Sequence, residues 1–523
     1  MNRFVLDFRA ACLSIAMLAA SASIAHAAEH GHQQGNGPPP WAHGQSQRLH
    51  AQLEGKIHRL QAELKAKGYE VARGATKLFS IPDCQYAVAV LGNCMGNNPA
   101  APYIMPTMPL WPDEYVDEGL RGVLGPLPND NWATHRMDKR EAVLVVGLLP
   151  PPARYFGIQT YVFSRAGALN TSDPIYQKTL LDPVMHNLLF SVVPKSPSRL
   201  LTFSSMGNSI NNVTIERQSG AAFNQRRAFV ISTDKGMAHE MTDAIVRARV
   251  SDKDEVFNEP VSSSIARLGL GAEADDFMTI IRYAQPDDED AAEAWRQERP
   301  IAVLRVRDRN TNAAEPWPKP VYDPKTARSE LGLADNVSAL VGAIKQQWGQ
   351  PGASVGPFVS LQLSVDLIGQ HCLARPMNCL GDTQDTDYQL SPTVIPDDNT
   401  VIAVAGTLGT VTGNATYVGL SVNRIVDLTA VANASDKDVQ GSASAFSTAV
   451  SNTDKLYVQY FARNCAGIAH CLTITEEMVP KGAAIKIIQR NYVVPGTARG
   501  PDPAQLVNPV AIILDRSALT AGR

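Results

Sequence analysis

Cysteine constrains this chain more than any other residue. It occurs seven times, and apart from Cys12 it falls in three close pairs: Cys84 with Cys94, Cys372 with Cys379, and Cys465 with Cys471. These spacings do not match zinc-knuckle patterns. An even number of locally paired cysteines in an exported chain reads as three short-loop disulfides. Bridges over short loops constrain the unfolded chain less than long-range ones, so they are expected to pin loop geometry.

The N-terminus supports export. Arg3 and Arg9 precede an apolar run from Ala10 to Ala25, which ends in Ala25-His26-Ala27. This is the pattern of a Sec-type signal peptide over residues 1–27. The run is short for a spanning helix, which needs roughly 20 apolar residues. No later segment approaches that length. The expectation is a secreted or periplasmic protein with no transmembrane segment in the mature chain.

Of 523 residues, 44% are apolar and 19% charged, with a net charge of −4 and no basic cluster. That makes nucleic acid an unsuitable partner, because phosphate binding needs clustered Lys and Arg. There is no Gly-x-Ser-x-Gly elbow, His-Glu-x-x-His helix or phosphate-binding loop, which argues against the commonest α/β-hydrolase, zinc-protease and nucleotide-binding chemistries.

Residues 28–48 contain Gly35-Asn36-Gly37-Pro38-Pro39-Pro40 and are expected to form a disordered tail. His30, His32 and His43 in that tail are read as incidental. Leu49, Leu53, Ile57, Leu60 and Leu64 form one stripe of an amphipathic helix assigned to 49–74. An α+β domain is expected over 75–310. Its strands are placed at 85–91, 141–149, 155–164, 200–204, 228–232 and 301–307, and its helices at 237–248 and 287–297. Residues 274–283 fit either type, and residues 97–131 read as a long Pro-studded loop. A Pro-rich connector at 311–324 is the candidate boundary. A β-rich domain follows over 325–523, with a helix at 335–348 and strands at 358–367, 401–406, 415–423, 456–462, 485–494 and 510–514. The fold class expected is α+β, mainly antiparallel sheet with peripheral helices. The aromatic segments 155–161 and 457–463 echo one another, and each half has a cysteine loop, without establishing a duplication.

Two segments carry candidate chemistry. In Leu200 to Asn212 an apolar strand runs into a turn bearing Ser205, Asn208, Ser209 and Asn211. A serine at such a junction can lie beside backbone N–H groups that stabilise an oxyanion. Ser209 or Ser205 would be the nucleophile, Asn208 or Asn211 would assist the oxyanion, and His135 is the preferred base. The alternative is a polar turn bonding to itself. The second segment places Asp382, Asp385 and Asp387 beside Cys379. These acids could bind calcium, although the EF-hand pattern is not met. No other cofactor is expected.

The Ser-Met-Gly-Asn-Ser block locally resembles the first block of the GDSL-type (SGNH) esterases. Asn208 stands where that family has Asp, and there is no matching Gly-x-Asn-Asp block or Asp-x-x-His. The resemblance implies ester hydrolysis. The Pro-Pro-Ala-Arg-Tyr-Phe strand, the Ser-Met-Gly-Asn-Ser-Ile-Asn-Asn turn, Asp-Thr-Asp-Tyr after Cys-Leu-Gly, and Gly500-Pro501 together resemble a set of exported, mainly bacterial proteins of unassigned function. That resemblance implies a shared fold and no activity. Two functional readings follow. One is a serine-dependent hydrolase of ester-type bonds. The other is a noncatalytic periplasmic or extracellular binding protein, calcium-stabilised or not, using loops around Trp111 and Trp132.

Overall fold

The structure, a computed structural model, describes residues 40–310 and 314–517. The signal-peptide segment, His30 and His32 lie outside the described residues. The first helix, Pro40–Ala66, starts earlier than its apolar stripe suggests, because proline is accommodated in a first helical turn. Residues 40–48 therefore belong to the helix rather than to a tail. Leu53, Ile57, Leu60 and Leu64 are buried against the body of the protein.

The first half contains β1 (Glu70–Arg73), β2 (Ala75–Phe79), β3 (Tyr103–Thr107), β4 (Glu141–Leu148), β5 (Ala153–Ala166), β6 (Val192–Val193), β7 (Ser196–Ser205), β8 (Ile210–Asn211), β9 (Arg226–Ser232), β10 (Val256–Pro260), β11 (Asp276–Pro286) and β12 (Ile301–Arg307). They form two sheets, ordered β1-β12-β4-β9-β10 and β2-β3-β11-β5-β7-β6, with β8 on β5. The second half contains β13 (Ser354–Pro357), β14 (Val359–Ser360), β15 (Thr386–Leu390), β16 (Thr400–Thr407), β17 (Tyr417–Arg424), β18 (Ala430–Ser435), β19 (Leu456–Ala462), β20 (Cys471–Thr473), β21 (Ile485–Tyr492) and β22 (Val510–Asp515). Its sheets run β13-β22-β16-β19-β20 and β14-β15-β21-β17-β18.

These orders are the same pattern twice. In each half the first strand lies beside the last. The strand after it starts the second sheet, and the outer sheet ends in a parallel pair, β9–β10 or β19–β20. The remaining strand pairings are antiparallel, so the α+β, mainly antiparallel class holds. The chain is therefore two copies of one topology. The echo between 155–161 and 457–463 was out of register, since β5 corresponds to β17 and β19 to β9.

The layers follow from strand alternation. In the first half, Ala142, Leu144 and Val146 face the helices Pro40–Ala66 and Lys235–Arg247, while Val143 and Val145 face β5 and β11 of the second sheet. In the second half, Val401, Ala403 and Ala405 face the helix Ala334–Gln347, while Ile402 and Val404 face β17 and β21. The remaining faces of β5/β11 and β17/β21 meet across the junction of the halves through Tyr155, Ala284, Tyr417 and Tyr492. The order is helices, two sheets, two sheets, helix. The connector packs onto both halves. The Trp317 carbonyl accepts from Ser262 Oγ at 2.8 Å, and the Pro320 carbonyl accepts from Gln370 Nε2 at 2.8 Å.

Four local assignments need correction. The helix expected over 49–74 ends at Ala66, and residues 70–73 form β1. Residues 85–91 form a helix, Cys84–Leu91, whose buried Cys84, Ala87, Val90 and Leu91 have helical spacing. In 358–367 a two-residue strand gives way to the helix Leu361–Val365, capped by Ser360. The 97–131 segment contains β3, buried along its whole length. Elements apolar on every side lose the periodicity that separates strand from helix.

Candidate functional site

The cysteines pair as expected: Cys84–Cys94, Cys372–Cys379 and Cys465–Cys471, with Cα atoms 5.0, 5.7 and 5.5 Å apart. The first two bridges occupy equivalent places, between the second and third strands of each half. After each, the chain repeats: Cys94-Met95-Gly96-Asn97 leads to Tyr103, and Cys379-Leu380-Gly381-Asp382 leads to Tyr388 at the same distance. Met95 and Leu380 both have φ 54°, and Gly96 and Gly381 have φ 61° and 70°. Two successive left-handed residues turn the chain sharply, and glycine takes the second without a Cβ penalty.

Each loop reaches into the opposite half. The Asn97 side chain accepts from Ala430 N at 2.8 Å and donates to the Ala430 carbonyl at 3.1 Å. Reciprocally, Asp382 accepts from Ser205 N at 2.8 Å and Ser205 Oγ at 2.6 Å. Ser205 pairs with Tyr161 on β5, and Ala430 pairs with Asn423 on β17, so Ser205 and Ala430 are counterparts. Ser205, one of the two serine candidates, thus stands where the other copy has alanine.

The other predicted residues also have local duties. Ser209 Oγ donates to Gln159 Oε1 at 2.8 Å and lies 2.6 Å from Thr383 Oγ1. Asn211 caps the helix Asn212–Ser219, accepting from Thr214 N at 3.2 Å, as Ser435 caps its counterpart. Asn208 accepts from Arg499 Nη1 at 3.0 Å and donates to Asp323 at 3.3 Å. His135 bridges to Phe277 on β11, whereas Ser205 is on β7, beyond β5. Three strand spacings amount to roughly 14 Å. Burial, together with Arg305, holds the His135 pKa well below its ordinary value, so the ring is neutral. The structure does not bring His135 to Ser205 or Ser209. Among the described residues no histidine hydrogen-bonds either serine.

The three aspartates serve three places. Asp382 also accepts from Gly369 N at 2.9 Å and Gln384 Nε2 at 2.9 Å. Asp385 accepts from Tyr155 Oη at 3.0 Å, Asn211 Nδ2 at 3.1 Å and Thr383 Oγ1 at 2.6 Å. Asp387 accepts from Ser360 Oγ at 3.0 Å, and burial pushes its pKa up to about 6. Lys325 interacts electrostatically with Asp387. Its Nζ donates to Gln362 Oε1 at 2.7 Å and the Thr386 carbonyl at 2.8 Å, and burial lowers its pKa to about 8. Among the described residues no group of three or more His, Cys, Asp or Glu converges as a metal site. Counting from the cysteines, the counterparts of these aspartates are Asn97, Ala100 and Pro102, all neutral.

Trp111 is buried between Arg305 and Arg307, whose guanidinium carbons lie 4.9 and 4.7 Å from its ring. Arg121 covers Trp132 at 4.6 Å. Trp111 belongs to the first half's buried charged network, while Trp132 is half-buried beneath an exposed Arg121.

An arginine pair that no sequence motif marks faces the junction. Arg282 on β11 pairs with Gly157 on β5, and Arg490 on β21 pairs with Gly419 on β17. Two residues before each glycine is a tyrosine, Tyr155 or Tyr417. Its hydroxyl would lie 2.5 or 2.6 Å from any added Cβ, so glycine is required at both positions. Arg282 lies over Tyr103 at 5.2 Å and Arg490 over Tyr388 at 5.9 Å, an equivalent cation–π pair in each copy, and Arg282 also lies over Tyr161 at 5.4 Å. The Arg282 guanidinium reaches the Gly381 carbonyl at 3.3 Å, and that of Arg490 reaches the Gly96 carbonyl at 3.5 Å.

The copies part at the next equivalent position. Tyr161 donates its side chain to the first half: its hydroxyl accepts from Arg282 Nη1 at 2.6 Å, and its ring packs on Phe203 at 4.9 Å. The counterpart Asn423 is shorter and turns back to Ser421, donating to both its Oγ and its carbonyl at 2.9 Å. Beside Asn423 and Arg490 is a cavity of about 60 Å³, walled also by Tyr103, Tyr388, Leu361 and Leu380. It is mostly apolar and lies where the halves meet, a frequent setting for small-molecule sites.

No protein-family model and no curated protein matches the chain. Among solved structures it is similar to the crystal structure of an uncharacterized protein from Burkholderia cenocepacia, at 11% identity over 93% of this chain and 92% of that one, with a TM-score of 0.38. That similarity carries no functional argument. The three disulfides suit an oxidising compartment, and among the described residues no helix is long and apolar enough to cross a membrane.

Proposed function

We propose that this is an exported, noncatalytic binding protein whose ligand enters the cavity between its two halves. The observation that carries this reading is the asymmetry at Tyr161 and Asn423. One copy closes the space beside its arginine with a phenol, and the other leaves it open beside Arg490. The hydrolase reading finds less support, since Ser205 and Ser209 are buried in hydrogen-bonded positions without a histidine beside them. Fluorophosphonate labelling of the folded protein is accordingly expected to fail.

The test is ligand-observed NMR on the mature, disulfide-intact protein with a panel of two- to six-carbon acids, amides and alcohols. Some member of the panel binds the wild type and is lost in Asn423→Tyr, which restores the first half's phenol. Binding by no member, or binding unchanged in Asn423→Tyr, contradicts the proposal.

A further inference from the structure

We infer that the cavity takes a small organic monocarboxylate, with the acid group on Arg490 and a short apolar body against Leu361, Leu380 and Ile488. This rests on the cavity being the ligand site and adds the chemistry of the ligand.

Arg490 is 3% exposed and has no carboxylate partner among the described residues. One terminal nitrogen bonds Ser421 Oγ. The other reaches only the Gly96 and Asn97 carbonyls, at 3.5 and 3.4 Å, longer than an ordinary hydrogen bond. A buried cation left so poorly paired is costly, and an incoming anion relieves that cost. The other copy shows how the charge can be balanced from within. Arg282 has the Tyr161 hydroxyl, and the loop whose Gly381 it touches continues into Asp382 and Asp385. The loop that meets Arg490 continues into Asn97 and Ala100, so it supplies no negative charge.

The form of the anion follows from the walls. A guanidinium presents a planar fork that matches a carboxylate. The Tyr388 hydroxyl, which has no hydrogen-bond partner among the described residues, is a second donor on the same wall. Burial keeps that phenol protonated to well above its ordinary pKa. Inorganic phosphate or sulfate would leave the leucine and isoleucine side uncovered, whereas a short acid covers both. The volume limits the body to a few carbons.

Calorimetric titration of the mature protein with butyrate and with its neutral isostere butyramide tests the assignment. Butyrate is expected to bind at least about tenfold more tightly, because only the acid makes a charge-assisted pair. Arg490→Met should abolish that preference. Should that variant fail to fold, Arg490→Lys keeps the charge but not the fork and should narrow the preference. Equal binding of acid and amide by the wild type overturns the carboxylate assignment and leaves the cavity reading standing. Binding of neither also overturns it. The cavity reading then falls as well unless some other panel member binds and is blocked by Asn423→Tyr.

Discussion

The first half contains fully buried ion pairs, and the second, among the described residues, does not. Arg305 with Glu114 and Glu141, Arg199 with Asp117 and Asp276, Arg165 with Asp275, and Arg140 with Asp234 and Asp308 are all nearly inaccessible. In the second half the ion pairs among the described residues, such as Arg424–Asp427, Arg375–Asp366 and Lys481–Asp398, are partly or largely exposed. A buried network stabilises only when complete, so it holds its surroundings in one arrangement. The second copy has no such lock beside Arg490 and has room there instead. One topology has thus produced a closed copy and an open one, and a few side chains on a shared backbone plan account for the difference.

Unlocking the closed copy should cost the most stability. Arg305→Met strands Glu114 and Glu141 and should lower stability by about 3–5 kcal/mol. Arg424→Met should cost less than about 1 kcal/mol. Urea denaturation of the disulfide-intact protein measures both, and equal losses would remove the contrast.

Exchanging the position that separates the copies comes next. Tyr161→Asn opens a cavity beside Arg282 and should cost about 2–4 kcal/mol. Asn423→Tyr fills existing space and should change stability by less than about 1.5 kcal/mol in either direction. A large loss in Asn423→Tyr would mean that the open copy has no room for a phenol.

Ser205 and Asp382 give a smaller test of the same equivalence. Ser205→Ala alone, or Asp382→Asn alone, should each cost about 1–3 kcal/mol by disturbing a buried hydrogen-bonded pair. The double variant reproduces the Ala430–Asn97 arrangement, so its cost should fall short of the sum by about 1 kcal/mol or more. Strict additivity would show that the two crossings are not counterparts.

A separate effect is a pH slope. Glu259 in the first half accepts from Thr160 N at 2.6 Å and Thr160 Oγ1 at 2.8 Å, and burial pushes its pKa up to about 7. Its unfolded value is about 4.3. Between these values the folded state holds more protons, so stability is highest at low pH and falls as pH rises toward 7. One group contributes at most about 1.4 kcal/mol per pH unit. Glu259→Gln should remove this component of the pH dependence of unfolding, and an unchanged profile would show that Glu259 ionises normally.

Much of the fold was legible in the sequence. Alternating or β-branched runs marked β4, β5, β9, β12, β16, β17, β19, β21 and β22, and the helices expected at 237–248 and 287–297 are present, capped by Asp234 and Asp288. The cysteine pairs were read correctly from spacing alone. The segment 274–283, buried on both faces, gave no decisive period, and 85–91 is too short and too uniformly apolar in sequence to show one. The duplication was also written in the chain, as Cys-Met-Gly-Asn and Cys-Leu-Gly-Asp with a tyrosine equally far beyond. Two tyrosine–x–glycine strands, at Tyr155 and Tyr417, repeat as well. What hid it was a comparison of the wrong strands. The site was less legible, because polar residues in a turn look alike whether they catalyse, cap or stitch. Ser205, Ser209 and Asn211 acquire their roles only from partners far along the chain, at Asp382, Thr383 and Asp385. Arg490 gave no signal at all, since only the register that sets it against Gly419 reveals Arg282 as its counterpart.

One copy is open and the other closed at equivalent positions. The most direct measurement is a crystal of the mature protein under xenon pressure, since xenon enters apolar cavities. A xenon peak is expected beside Asn423 and Arg490 and none beside Tyr161 and Arg282. No peak beside Arg490, or peaks of equal height in both copies, would contradict it.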